Sequence, residues 1–183
     1  MVAISDLNNS FLTSRLLIEL LTPDDEQFIF DLLNTEDWLK FIGSRNIHSN
    51  ADAANYIKKI LGDAYTKYWV VKLKNDATKM GVVTLLKRNY LDYPDIGFAF
   101  LPSFFNRGYA FEATKAVLEN VIDINGLSQI LAVTISENYY SIKLLKRLGF
   151  NFSKELFNAE ETVQLYSMNT DKKQIDPNGD SFL

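Results

Sequence analysis

The chain has 183 residues, 47% of them hydrophobic, with a formal charge of −4 and a pI near 5.0. A chain of this size buries roughly 70% of its unfolded surface around one core, so one domain over residues 1–170 is expected, with the polar residues 171–183 left as a disordered tail. The acidic balance argues against a nucleic-acid partner, the lack of a long apolar run or charged leader points to a cytoplasmic protein off the membrane, and zero cysteines exclude disulfides and a cysteine acyl-enzyme.

Taken along the chain, residues 14 to 20 alternate as a first strand. Thr22-Pro-Asp-Asp25 then announces a helix through a cap, a proline at the first helical position and first-turn acids, whose role reads as electrostatic support of the helix start. Helical pattern runs to about Leu33, resumes over Asp37 to Ile42, and restarts over Ala51 to Ala64. Tyr68–Leu73, Met80–Leu86 and Tyr93–Leu101 read as an antiparallel meander, and Asn151–Leu156 with Glu161–Met168 as closing strands. The lone His48 has no partner motif for zinc, so no metal site is expected.

The stretch Leu101-Pro-Ser-Phe-Phe-Asn-Arg-Gly-Tyr-Ala-Phe-Glu-Ala113 carries an apolar strand through a short turn into a helix beginning near Gly108. First-turn amides of a helix lack intrahelical acceptors and sit at the positive end of the peptide dipoles, so this corner suits a phosphate ester. Gly108 lacks a Cβ and admits a ligand close to the main chain, while Arg107 supplies a cation at the mouth. A second strand-to-helix unit follows: Gln129–Ile135 as a buried strand, then a helical stretch from Ser136 closed by Gly149.

The order of these units resembles the GNAT superfamily of acyl-CoA-dependent N-acyltransferases, over about Thr13 to Met168. The resemblance is strongest to the branch of ribosomal-protein N-terminal acetyltransferases. It rests on Leu12–Asp25, on Asp95-Ile-Gly-Phe-Ala-Phe-Leu-Pro102, on Asn106-Arg-Gly-Tyr-Ala110 with Glu112-Ala113, and on Asn138-Tyr-Tyr-Ser141 with Leu148-Gly-Phe150. Two positions depart from the common pattern: Phe105 stands where Gln or Arg is frequent, and Leu145 where many members carry a tyrosine proton donor. The fold implied is α/β of the α+β kind, a mixed, mostly antiparallel sheet with splayed central strands flanked by helices.

The resemblance further implies acetyl-CoA as co-substrate, its pyrophosphate held by main-chain amides over Asn106, Arg107, Gly108, Tyr109 and Ala110. If the strands at 95–101 and 129–135 splay, backbone groups of Phe100 and Leu101 pair with the pantetheine amides and supply an oxyanion donor. Lys143 and Arg147 either face the ribose phosphate or form a solvated face. Asn138, Ser141 and Leu145 are spaced to project from one helical face. Asn138 would orient pantetheine or a water, and Ser141 would protonate the leaving thiolate or be an ordinary surface hydroxyl.

The expected activity is direct acetyl transfer to a primary amine in a ternary complex, the alternative being a non-catalytic acyl-CoA-binding or protein-interaction module. Deprotonating an α-amine at pH 7 costs about 1 kcal/mol and a lysine side chain about 4–5 kcal/mol. With no strong base in evidence beyond Glu137, Asp95 or His48 acting through water, the balance tilts toward an α-amine; the expected partner is a peptide N-terminus, such as that of a ribosomal protein, or a small amine. The aromatic residues Tyr90, Tyr93, Phe98, Phe104, Phe105, Tyr139 and Tyr140 divide between acceptor pocket and core, and the chain is expected as monomer or homodimer.

Overall fold

The computed structural model describes residues 10–125, 127–157 and 161–170; the expected tail over 171–183 lies outside them. The strand expected over 14–20 is β2 (Leu16–Leu20), and a short strand before it, β1 (Ser10–Leu12), pairs with it in an antiparallel hairpin whose turn is the polar run Thr13-Ser14-Arg15, closed by the Thr13 N–H donating to the Leu16 carbonyl at 2.9 Å.

Pro23–Asp25 is a 3-10 turn, after which α1 (Glu26–Leu33), α2 (Glu36–Phe41) and α3 (Asn50–Leu61) follow. Of the acids expected to support the helix start, Asp25 is held in the cap. Asp25 accepts from the Thr22 N–H and hydroxyl at 2.8 and 2.9 Å and lies 2.6 Å from the Lys79 ammonium. The helix expected to reach Ala64 stops at Leu61, where Gly62 forms the C-cap.

β3 (Thr66–Leu73), β4 (Lys79–Leu86) and β5 (Asp95–Phe100) make the expected antiparallel meander. Then come α4 (Tyr109–Asn125), β6 (Gln129–Thr134), α5 (Tyr139–Arg147), β7 (Asn151–Phe157) and β8 (Thr162–Asn169). The strands form one eight-stranded sheet in the order β1-β2-β3-β4-β5-β6-β8-β7. Period-two alternation divides it: Trp69 and Val71 of β3 bury against Ala113, Val117 and Val121 of α4 and Leu145 of α5, while Tyr68 and Val70 face Ile29, Leu32 and Ile57 of the first three helices. Each fully buried aliphatic contributes about 1.5–3 kcal/mol, so both layers are held firmly to the sheet.

Every strand pair is antiparallel except β5–β6. There Asp95 lies opposite Leu131, whose N–H donates to the Pro94 carbonyl at 3.0 Å, and beyond this point the strands part. The mixed, mostly antiparallel sheet with splayed central strands is therefore the architecture found. On the other side of β5, Gly81 permits a close approach: a Cβ there would lie 2.6 Å from the Ala99 carbonyl oxygen and collide with the Phe100 ring. Phe100 thus sinks into the core and leaves its backbone at the parting of the strands.

Candidate active site

Beyond β5 the chain makes a 3-10 turn at Pro102–Phe104, and Asn106 and Gly108 then adopt left-handed backbone angles, φ 59° and 78°. Among the described residues none of the N–H groups of Asn106, Arg107 and Gly108 donates to a backbone carbonyl. Those of Tyr109 and Ala110 belong to the first turn of α4, which has no intrahelical acceptor for them. The first helical bond runs from the Glu112 N–H to the Gly108 carbonyl at 3.1 Å. Amides left without acceptors at a helix start carry partial positive charge. A Cβ on Gly108 would sit 3.5 Å from Arg15 Nη2, an ordinary contact, so glycine is needed there for its φ rather than for room.

Under this corner lies a clamp that local sequence patterns did not suggest. Glu112 accepts from the Thr13 hydroxyl at 2.6 Å, the Ser14 hydroxyl at 3.0 Å, and the Arg15 N–H and Nε at 3.0 and 2.7 Å. Burial pushes the Glu112 carboxyl up, but these hydrogen bonds outweigh it and hold the group below its ordinary range. Arg15 also donates through Nη1 to the Arg107 carbonyl at 3.0 Å and lies 4.5 Å from the Tyr109 ring centre. The cation that braces the corner is thus Arg15, while the Arg107 side chain is exposed. Of the helical pair Lys143 and Arg147, Lys143 is exposed; Arg147 stacks 4.0 Å over Phe111 and borders a shallow depression shared with Gly108, Arg15 and Lys115.

The parting of β5 and β6 opens a cleft lined by Ile96, Gly97, Phe98 and Ala99 on one side and by Ala132, Val133 and Thr134 on the other. The Leu101 N–H donates to the Met80 carbonyl at 2.8 Å and its carbonyl accepts from Phe104 at 3.0 Å. Its amide is therefore committed to β4, which corrects the expectation that Leu101 offers a free donor. Alternation in the antiparallel ladder turns the backbone groups of the neighbours Phe100 and Phe98 the other way, toward the gap. Phe98, two residues before Phe100 and therefore of the same orientation, borders the cleft where Phe100 does not.

Asn138, Ser141 and Leu145 all border this cleft, as their spacing suggests. Asn138, however, is the N-cap of α5 rather than part of it: its side-chain oxygen accepts from the Ser141 N–H at 3.1 Å, leaving the amide nitrogen as its donor. Ser141 is half-buried, and Leu145, only 2% exposed, also anchors the helix in the core.

The three suggested bases fare differently. Glu137 and His48 are exposed and lie off the cleft. Asp95 borders it but is 2% exposed and bound to Arg88 Nε at 2.9 Å; burial raises its carboxyl above the ordinary range although Arg88 pulls the other way. Across the cleft, Tyr68 shares a 3.1 Å hydrogen bond with Tyr56, and burial drives its phenol far above the usual tyrosine range. Tyr90, Phe105, Tyr139 and Tyr140 are exposed, whereas Trp38 both packs in the core and borders the cleft.

Residues 15–151 match the model of the acetyltransferase (GNAT) domain. The chain belongs to the GNAT acetyltransferase family. This acetyltransferase is 29% identical over 137 residues to the uncharacterized N-acetyltransferase YnaD of Bacillus subtilis, covering 75% of this chain and 79% of that protein. It shares its fold with the ribosomal-protein-S5-alanine acetyltransferase of Vibrio fischeri, with TM-score 0.75, 19% identity and coverage of 90% and 98%. It shares it also with spermidine N-acetyltransferase of Vibrio cholerae, solved with CoA and spermine, with TM-score 0.75, 20% identity and coverage of 86% and 97%. The chain is accordingly an acyl-CoA-dependent N-acetyltransferase. Among the described residues of this acetyltransferase, no helix is long and apolar enough to cross a membrane.

Period-two reasoning back from Phe100 would have found Phe98. The pair Arg15–Glu112 and the presence of Arg45 and Tyr68 at the cleft join distant segments and leave no local signal, while Arg88 and Asp95, seven residues apart, meet across the β4–β5 connection.

Proposed function

We propose that this acetyltransferase moves the acetyl group of acetyl-CoA to a primary amine by direct attack in a ternary complex. The observation that carries the reading is the parting of β5 and β6 beside a corner of unpaired amides. The two features match the two ends of the co-substrate. The amides over Asn106 to Ala110, braced by Arg15, suit the pyrophosphate, and the backbone edge at Phe98 and Phe100 suits the pantetheine amides as a neighbouring strand would. The Asn138 amide nitrogen is a further donor toward that arm.

The amine nitrogen attacks the thioester carbonyl carbon, a C–N bond forms, and the C–S bond breaks to release thiolate. The Phe98 N–H, deeper in the gap than Phe100, is the donor best suited to the oxyanion, and Ser141 to protonating the thiolate. Because no free carboxylate or imidazole borders the cleft among the described residues, positioning supplies most of the rate and an amine of low pKa is favoured. A peptide N-terminal α-amine fits that requirement, in keeping with the branch the sequence resembles and with the fold shared with a ribosomal-protein acetyltransferase.

The test is thiol release from acetyl-CoA with a panel of N-terminal peptides and small amines, with mass detection of product. Amine-dependent release with acetylated product is expected; tight CoA binding without turnover across the panel would end the reading.

A further inference from the structure

We infer that the acceptor carries an anionic group next to its reacting amine, a carboxylate or an acidic side chain, which Arg45 recognises across the cleft. The inference rests on the acetyl-transfer reading and narrows its substrate class.

The charged side chains bordering the cleft are Arg45, Arg88 and Asp95. Asp95 is spent on Arg88 at 2.9 Å, so the wall carries one net positive charge although the whole chain is at −4. Among the described residues no ion pair includes Arg45. Its Nη1 leans on the carbonyls of Ile42, Gly43 and Ser44 at 3.3, 3.4 and 3.5 Å, and its guanidinium centre lies 5.9 Å from the Trp38 ring. These contacts hold the head at the cleft wall and leave Nε and Nη2 as donors, a fork that fits a carboxylate.

A polyamine would bring two or more positive charges to a wall with no free carboxylate, and is disfavoured.

The test measures kcat/KM for the full chain at saturating acetyl-CoA with matched acceptors. Dialanine against dialaninamide reports a small carboxylate; Ala-Asp-Ala-Ala-amide against Ala-Asn-Ala-Ala-amide reports an acidic peptide N-terminus; spermidine reports a polycation. The anionic member of at least one pair should lead by about tenfold, the worth of one charge-assisted hydrogen bond, with spermidine lowest. Arg45→Gln should bring that ratio close to one, and Arg45→Lys should restore part of it. Ratios at or below one in both pairs, spermidine as the fastest acceptor, or an unchanged ratio in Arg45→Gln would overturn the inference while leaving acetyl transfer standing. Failure of every amine to release CoA would instead remove acetyl transfer itself, and the inference with it.

Discussion

Arg15 holds Glu112 through Nε and Nη2 at 2.7 and 2.6 Å, and with its remaining Nη1 reaches the Arg107 carbonyl at 3.0 Å. The β1–β2 turn and the start of α4 are thereby fastened together under the amide corner. Glu112→Gln should cost about 1–2 kcal/mol, toward the low side for hydrogen bonds to a charged group because the Arg15 side chain is 45% exposed. Since Glu112 titrates below its ordinary value of 4.5 in the folded chain, its contribution is present above that value and is lost as pH falls through the depressed one. Urea midpoints measured from pH 6 down to pH 3 should therefore fall less steeply in Glu112→Gln than in the parent, and parallel curves would remove the linkage.

Gly108 has φ 78°, and a Cβ there meets only an ordinary contact. Gly108→Ala should fold and lose about 1–2 kcal/mol of stability to left-handed strain. Gly108→Trp adds a ring over the amides and should weaken CoA binding by more than about tenfold with the fold retained. Calorimetric titration with CoA beside a circular dichroism spectrum distinguishes the two effects; unchanged affinity in a folded Gly108→Trp chain would move the pyrophosphate elsewhere.

Ser141 borders the cleft with its backbone fixed by Asn138. Because a CoA thiolate is a good leaving group, Ser141→Ala should lower kcat by about tenfold or less, short of the range typical of general acids, with CoA affinity little changed. Kinetics equal to the parent would take Ser141 out of the mechanism.

Arg88 neutralises the buried Asp95 at 2.9 Å. Arg88→Ala should cost about 3 kcal/mol, the low end for a broken buried pair because the Arg88 side chain is 39% exposed. Asp95 already titrates above its ordinary 3.8, and removing Arg88 raises it further. A raised carboxyl favours the fold below its unfolded value and loses that advantage as pH rises through the folded one. The variant should therefore be least destabilised near pH 4 and most at pH 8, as thermal melts across that range will show; the opposite slope would mean that Asp95 is not the group left unpaired.

The elements themselves were largely readable. Alternation located β3, β4, β5, β6 and β8, and the closing glycine Gly149 marked the end of α5 near Arg147, whereas α3, expected to reach Ala64, stops at Leu61 before Gly62. The misses are places where a neighbour decides. The hairpin at Thr13–Arg15 is drawn to Glu112, and α5 starts at Tyr139 because Asn138 turns its side chain into a cap. Leu101 continues the strand pattern, yet its amide belongs to Met80, so the register of β4 on β5 decides which backbone groups face the gap.

Periodicity and caps were enough to place most strands and helices, because alternation and capping are properties each segment carries locally, and the resemblance of the ordered motifs pointed to the family. The electrostatics of the cleft were not so encoded. Arg45, Arg88 and Asp95 come from a linker, the loop after β4 and the start of β5, and they meet only when the sheet and the first helices close on one another. A charge's worth depends on its distance and burial against others, and those exist only in three dimensions.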